Sequence, residues 1–177
     1  MKHLVNIAAT AVVAIGVLSG QAAAQTERVE AVRDWSIFEA SADGNKICWI
    51  VSQPTQKTAS RDGKVVEVQR GDVFLMVAIR PADGVKNEVS FIAGYPFKEG
   101  SGVRANIDGT NRFDMFTEGE NAWSQSADDD EKIVAAFRRG IRTELRGVSA
   151  RGTETVDTFS LSGFTKALSS ARARCSG

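Results

Sequence analysis

The residues that could do chemistry are few. His3 is the only histidine, and it sits in a leader-like first stretch, so the exported chain would have no imidazole to act as base, acid or metal ligand. That sets aside Ser-His-Asp and Cys-His machinery and the common zinc sites. Ser149, within Gly147-Val148-Ser149-Ala150-Arg151-Gly152, misses the G-x-S-x-G nucleophile spacing by one residue and reads as a polar strand end and turn. Asp128, Asp129, Asp130 and Glu131 are consecutive. Calcium ligands are instead spaced along a loop around a glycine, so charge at a helix N-terminus explains the run better. No spacing singles out a carboxylate pair for glycoside hydrolysis or a Ser-Lys dyad. The expectation is a chain without catalytic residues, metal or cofactor.

Two other sets carry possible function. Arg138, Arg139, Arg142, Arg146, Arg151, Arg172 and Arg174 make the last third basic, while Asp108, Asp114, Glu118, Glu120 and the 128–131 run make the middle acidic. Guanidinium groups hold phosphate, sulfate or carboxylate bidentately, which makes Arg138, Arg139, Arg142 and Arg146 candidate binding residues for an anionic glycan or lipopolysaccharide. The alternative is a solvated surface pairing internally with the acidic middle. Arg70-Gly71-Asp72 matches the tripeptide that integrins recognise, yet a Gly-Asp turn feeding the next strand accounts for it structurally.

At the start of the chain, Lys2 and His3 precede an apolar segment from Leu4 to Leu18, and Ala22-Ala23-Ala24-Gln25 follows. This is the pattern of a signal peptide over residues 1–24, cut between Ala24 and Gln25. Residues 25–177 then form a single domain that is periplasmic, associated with the outer envelope or secreted, with no later transmembrane span. The full chain is formally neutral, so no global charge recruits nucleic acid. Cys48 and Cys175 are the only cysteines. Export to an oxidising space predicts a disulfide, with free thiols or a redox pair as the other readings and no C-x-x-C spacing to favour the last.

Residues 25–33 are polar and read as a frayed end. Strands are expected at Trp35-Ser36-Ile37-Phe38, then at Ile47 to Val51 and at Val73 to Arg80 (VFLMVAIR). The last of these is an apolar run bounded by Gly71 and Pro81, read as the central strand covered on both faces. Between them, 55–64 reads as a polar loop with an Asp62-Gly63 turn, followed by Val66 and Val68 in a half-exposed strand. Later strands fall at Glu88 to Ala93, in a hairpin across Asp108-Gly109, near Thr143 to Val148 and at Glu154 to Ser160. Ser126 with Asp129 opens a helix that stops at Gly140, and a second helix begins near Phe164 with Phe164, Leu168, Ala171 and Cys175 on one face. Many short strands and two short helices in the C-terminal third predict a mainly β, antiparallel sandwich or barrel-like sheet. A parallel α/β fold would need crossover helices that 35–123 does not contain.

The segments CWIVS (48–52), RGDVFLMVAIRP (70–81), EVSFIAGYPFKEGS (88–101) and SARGTETVDTFSLSGFTKAL (149–168), with the closing Cys175, resemble the invasion-associated locus B family of alphaproteobacteria. The resemblance implies an exported envelope protein, associated in some pathogens with entry into erythrocytes. It brings no catalytic residues. The functional expectation is therefore a non-enzymatic protein that binds a macromolecular or glycan partner. The alternatives are a small hydrolase using carboxylates or a Ser-Lys pair, and a periplasmic carrier of a small ligand or lipid.

Overall fold

The computed structural model describes residues 26–42 and 44–176. The expected signal peptide with its Ala24-Gln25 cleavage site, and Asp43, lie outside the described residues. Twelve antiparallel strands form one sheet, and two helices pack on its inner face. In chain order the strands are β1 (Glu27–Val32), β2 (Trp35–Ala42), β3 (Asn45–Ser52), β4 (Gln56–Arg61), β5 (Lys64–Val65), β6 (Phe74–Arg80) and β7 (Val85–Ile92). They continue with β8 (Val103–Ile107), β9 (Asn111–Glu118), β10 (Asn121–Ser124), β11 (Arg142–Val148) and β12 (Glu154–Ser160). Helix α1 (Ala127–Phe137) joins β10 to β11, and α2 (Phe164–Cys175) closes the chain.

The spatial order is β1-β2-β3-β6-β7-β10-β9-β8-β11-β12-β4-β5. Strands β3 and β4 are far apart in that order, yet only Gln53, Pro54 and Thr55 connect them. So short a link forces the sheet to curl back on itself, and the Thr55 N–H donates to the Thr158 carbonyl at 2.7 Å where the two halves meet. The curl does not close into a barrel, because β1 and β5 remain separate edges. Inward residues of both halves form one core: Phe91 of β7 meets Phe159 of β12 edge to face at 6.1 Å. Trp35, Phe137 and Phe164 fill the space beneath the helices.

The run from Val73 to Arg80 is interior to the sheet, with β3 on one side and β7 on the other. Its coverage differs from the expectation of two buried faces. Leu75, Val77 and Ile79 are buried, whereas Phe74, Met76 and Ala78 are only half-buried. They lie on the sheet's outer face, where they shield one another and the flanking strands' side chains instead of packing beneath a second layer. Residues 27–32 are also ordered, as strand β1 paired with β2, and Val32 reaches the core. Their charged side chains suit a sheet edge, where Glu and Arg discourage pairing with other chains.

The expected loop at 55–64 is largely strand. β4 pairs with β12, and Asp62 and Gly63, both at positive φ, turn it tightly into β5. The strand expected at Val66 and Val68 ends instead at Val65, leaving 66–73 as an irregular approach to β6. Strand β10 was not anticipated; its Asn121-Ala122-Trp123-Ser124 is too short and mixed to show a period. The disulfide is present, joining Cys48 on β3 to Cys175 on α2 with sulfurs 2.09 Å apart. Ser126 caps α1 as expected: the Asp129 N–H donates to Ser126 Oγ at 3.2 Å, and the Ser126 hydroxyl donates to the Asp129 carboxylate at 2.9 Å.

Candidate functional site

Strand β12 places Thr155, Asp157 and Phe159 on the buried face, so one of its three inward positions holds a carboxylate. A charge with no solvent access requires an opposite charge and hydrogen bonds. Arg70, on the irregular approach to β6, supplies both. Its Nη1 donates to Asp157 Oδ2 at 3.0 Å and its Nη2 to Oδ1, a bidentate pair whose side chains are 7% and 0% exposed. Burial pushes the Asp157 carboxyl above the usual carboxylate range, and the Arg70 hydrogen bonds oppose that shift. The first residue of the Arg70-Gly71-Asp72 tripeptide therefore anchors the fold, which leaves it no part in an adhesive loop.

Around this pair a surface cleft of about 460 Å³ opens, lined by Arg61, Glu67 to Arg70, Gly94 to Pro96, Ser149 to Arg151, Thr153 and Thr155. Arg70 lies over the Tyr95 ring at 5.7 Å, and the Tyr95 hydroxyl is 2.6 Å from Thr155 Oγ1. Burial pushes the Tyr95 phenol up, so it stays neutral at physiological pH. Two glycines bring the walls together. A Cβ at Gly94, where φ is +69°, would lie 2.5 Å from the Gly71 carbonyl oxygen, and the Gly71 N–H donates to the Gly94 carbonyl at 2.8 Å. At the rim Arg61 donates from Nε and Nη2 to Thr153 Oγ1, at 3.2 and 2.6 Å. Ser149 is buried and accepts the Thr153 N–H at 3.1 Å, the work of a turn-forming serine. Arg151 stands exposed at the tip of that turn.

Chemically the cleft presents three guanidinium groups and several hydroxyls, with Glu67 the one carboxylate in its lining. Asp157 neutralises Arg70, while Arg61 and Arg151 have no carboxylate partner among the described residues. The hydroxyl-bearing side chains of Tyr95, Ser149, Thr153 and Thr155 lie between them.

The four arginines singled out in the sequence lie elsewhere. Arg138 caps α1 and Arg139 follows it, both exposed. Arg142 opens β11, where the Ile141 and Arg142 N–H groups donate to the Asp108 carboxylate at 2.9 and 3.0 Å. Arg146 is four residues further along the same strand, roughly 13 Å away by strand rise, and its Nη2 donates to Glu144 at 2.9 Å. Thus Arg138, Arg139 and Arg142 follow one another at the junction of α1 and β11, and Arg146 stands further along the strand with an internal partner. Reading the sequence missed the Arg70-Asp157 pair, although a signal was there: Asp157 interrupts the inward phase of an otherwise regular strand.

The cleft unites three of the segments that carry the family resemblance, contributing Arg70, then Gly94 to Pro96, then Ser149 to Thr155. A family model described as "Invasion associated locus B (IalB) protein" matches residues 35–172. No curated protein and no solved structure matches the chain.

Proposed function

The chain belongs to the invasion-associated locus B family, and from that premise we propose that it is an exported, non-enzymatic binding protein of the cell envelope. Its cleft takes an anionic group, sulfate, phosphate or carboxylate, on a glycan or lipopolysaccharide. One observation carries this reading: Arg61 and Arg151, both without a carboxylate partner among the described residues, flank a set of hydroxyl groups in a cleft built from three family-motif segments. The buried Arg70-Asp157 pair and the Gly71-Gly94 contact hold those walls rigid, so little ordering entropy is lost on binding. Export is supported by the leader-like residues 1–24 and by the Cys48–Cys175 disulfide, which suits an oxidising compartment.

The test is titration calorimetry of the purified chain with heparin and with lipopolysaccharide. Arg61→Gln with Arg151→Gln is expected to weaken binding at least about tenfold, since hydrogen bonds to charged groups contribute roughly 1.5–3 kcal/mol each, while the protein stays folded with only the small drop in melting temperature that losing the Arg61–Thr153 hydrogen bonds brings. Affinity should also fall as salt rises, because exposed charges are screened over roughly 8–10 Å at physiological ionic strength. Arg138→Glu with Arg142→Glu is the contrast. Loss of binding there, with the cleft variant unaffected, would move the site to the end of α1 and refute the cleft.

A further inference from the structure

A second groove, remote in charge and chemistry from the cleft, runs where the outer face of β7, β10 and β9 meets the start of α1. It measures about 730 Å³. Its floor is aromatic. Trp123 of β10 lies directly across from Phe116 of β9, the rings are 5.6 Å apart, and Phe116 is 48% exposed. A singly exposed phenylalanine is ordinary, but this one is stacked on a tryptophan, and the two rings together make a wider apolar surface at the groove floor.

The walls are acidic. Glu88, Glu118, Asp128, Asp130 and Glu131 all line the groove, with Lys86 the single cation among its lining residues. Three of these carboxylates already serve the fold. Both oxygens of Glu88 accept from Arg80, at 2.9 and 2.8 Å. Asp130 accepts from the Val89 N–H at 2.8 Å and from Ser124 Oγ at 2.6 Å, and Glu131 accepts from Asn87 at 2.7 Å. Engaged in this way, they are poorly placed to act as a free acid and base pair. Glu118 and Asp128 are exposed and have no hydrogen-bond or ion-pair partner among the described residues. With Lys86 the one cation in the lining, they leave a net negative field beside an aromatic face.

That combination selects a cation. The π face of an aromatic ring attracts ammonium and guanidinium groups, and flanking carboxylates add charge-assisted hydrogen bonds. A neutral sugar would also stack on Phe116, but it would leave the groove's negative charge unanswered. We propose that this groove is a docking site for a lysine- or arginine-bearing polypeptide segment of a partner protein, one cationic side chain lying over Phe116 within reach of Glu118 and Asp128. The molecule then engages anions through the cleft and cationic protein through the groove.

An octapeptide of alternating Arg and Gly, titrated into the purified chain and followed by tryptophan fluorescence, tests this. The chain should bind it more tightly than an octapeptide with Gln or Glu in place of Arg. Phe116→Ala should weaken binding by about five- to tenfold, and Glu118→Gln with Asp128→Asn should do the same and flatten its salt dependence. All three substitutions are at exposed positions, so the melting temperature reports whether folding is intact. The cleft variant, Arg61→Gln with Arg151→Gln, should bind the peptide as the parent does. Equal binding of the Gln peptide, or unchanged affinity in both groove variants, would overturn the proposal. Concentration-dependent self-association in sedimentation, abolished by Phe116→Ala, would overturn it too, by placing a second copy of the chain in the groove.

Discussion

Replacing Arg70 by Met strands the Asp157 carboxylate at a position with no solvent access. Met keeps most of the aliphatic volume of the arginine stem, so the change is mainly electrical. Breaking a buried pair by removing one partner costs about 3–5 kcal/mol, against a total stability of about 5–15 kcal/mol for a typical domain. The variant should lose about a fifth of its stability or more, and the approach to β6 should open first because Arg70 is its tie to β12. The pH dependence supplies a sharper check. With the opposing arginine gone, burial is countered only by the smaller effect of the Lys57 charge and holds the folded pKa of Asp157 above the unfolded value near 3.9. A raised carboxyl pKa contributes stability that is fully present below the unfolded pKa and is lost as pH rises through the folded pKa. The deficit of Arg70→Met should therefore be largest at pH 7 and shrink at about pH 4. Urea unfolding monitored by tryptophan fluorescence at the two pH values, with the disulfide intact, measures it. Adding Asp157→Leu should recover much of the loss. A deficit under about 1 kcal/mol at pH 7, or one that grows on acidification, would show that the pair is not the buried anchor described above.

Cys48→Ala with Cys175→Ala should cost about 2–5 kcal/mol by calorimetry, and the parent, denatured without reductant, should take up no thiol label; labelling at both sites would contradict the bridge. Val77→Asp puts a carboxylate at a fully buried position between β3 and β7, a cost of several kcal/mol, and should give insoluble or non-cooperative protein. Recovery of a cooperative thermal transition in that variant would mean that the core is misplaced. Burial pushes the Asp130 carboxyl up despite its bonds to Ser124 and Val89, so the parent should lose stability as pH rises through that folded pKa. Asp130→Asn, which keeps an acceptor oxygen for both donors, should flatten this part of the melting temperature profile between about pH 4 and 7; an unchanged slope would count against the assignment.

The local chemistry of the chain was legible residue by residue. Alternation or continuity of apolar side chains located β3, β6, β8, β9 and β12, because a strand with one buried face must repeat every two residues. Ser126 with Asp129 located the start of α1, and Phe164, Leu168, Ala171 and Cys175 located the inward face of α2, because caps and helical periods are short-range properties. Two cysteines and a leader-like start sufficed for the bridge. Polar strands were another matter. β1 and β4 lie at or near the sheet edges, where few side chains need be apolar, so their sequences carry little period and only hydrogen bonds to β2 and β12 reveal them. Which face of β6 met solvent was equally hidden, since a run of apolar residues reads the same in either setting. The cleft and the groove lay furthest from reach. Arg70 and Asp157 are 87 residues apart, and Phe116, Trp123 and Glu88 come from three different strands. The first meeting depends on the curl that brings β12 back beside β4, and the second on β10 pairing with β7 as well as with β9; which distant strands become neighbours is not written in any one stretch of sequence.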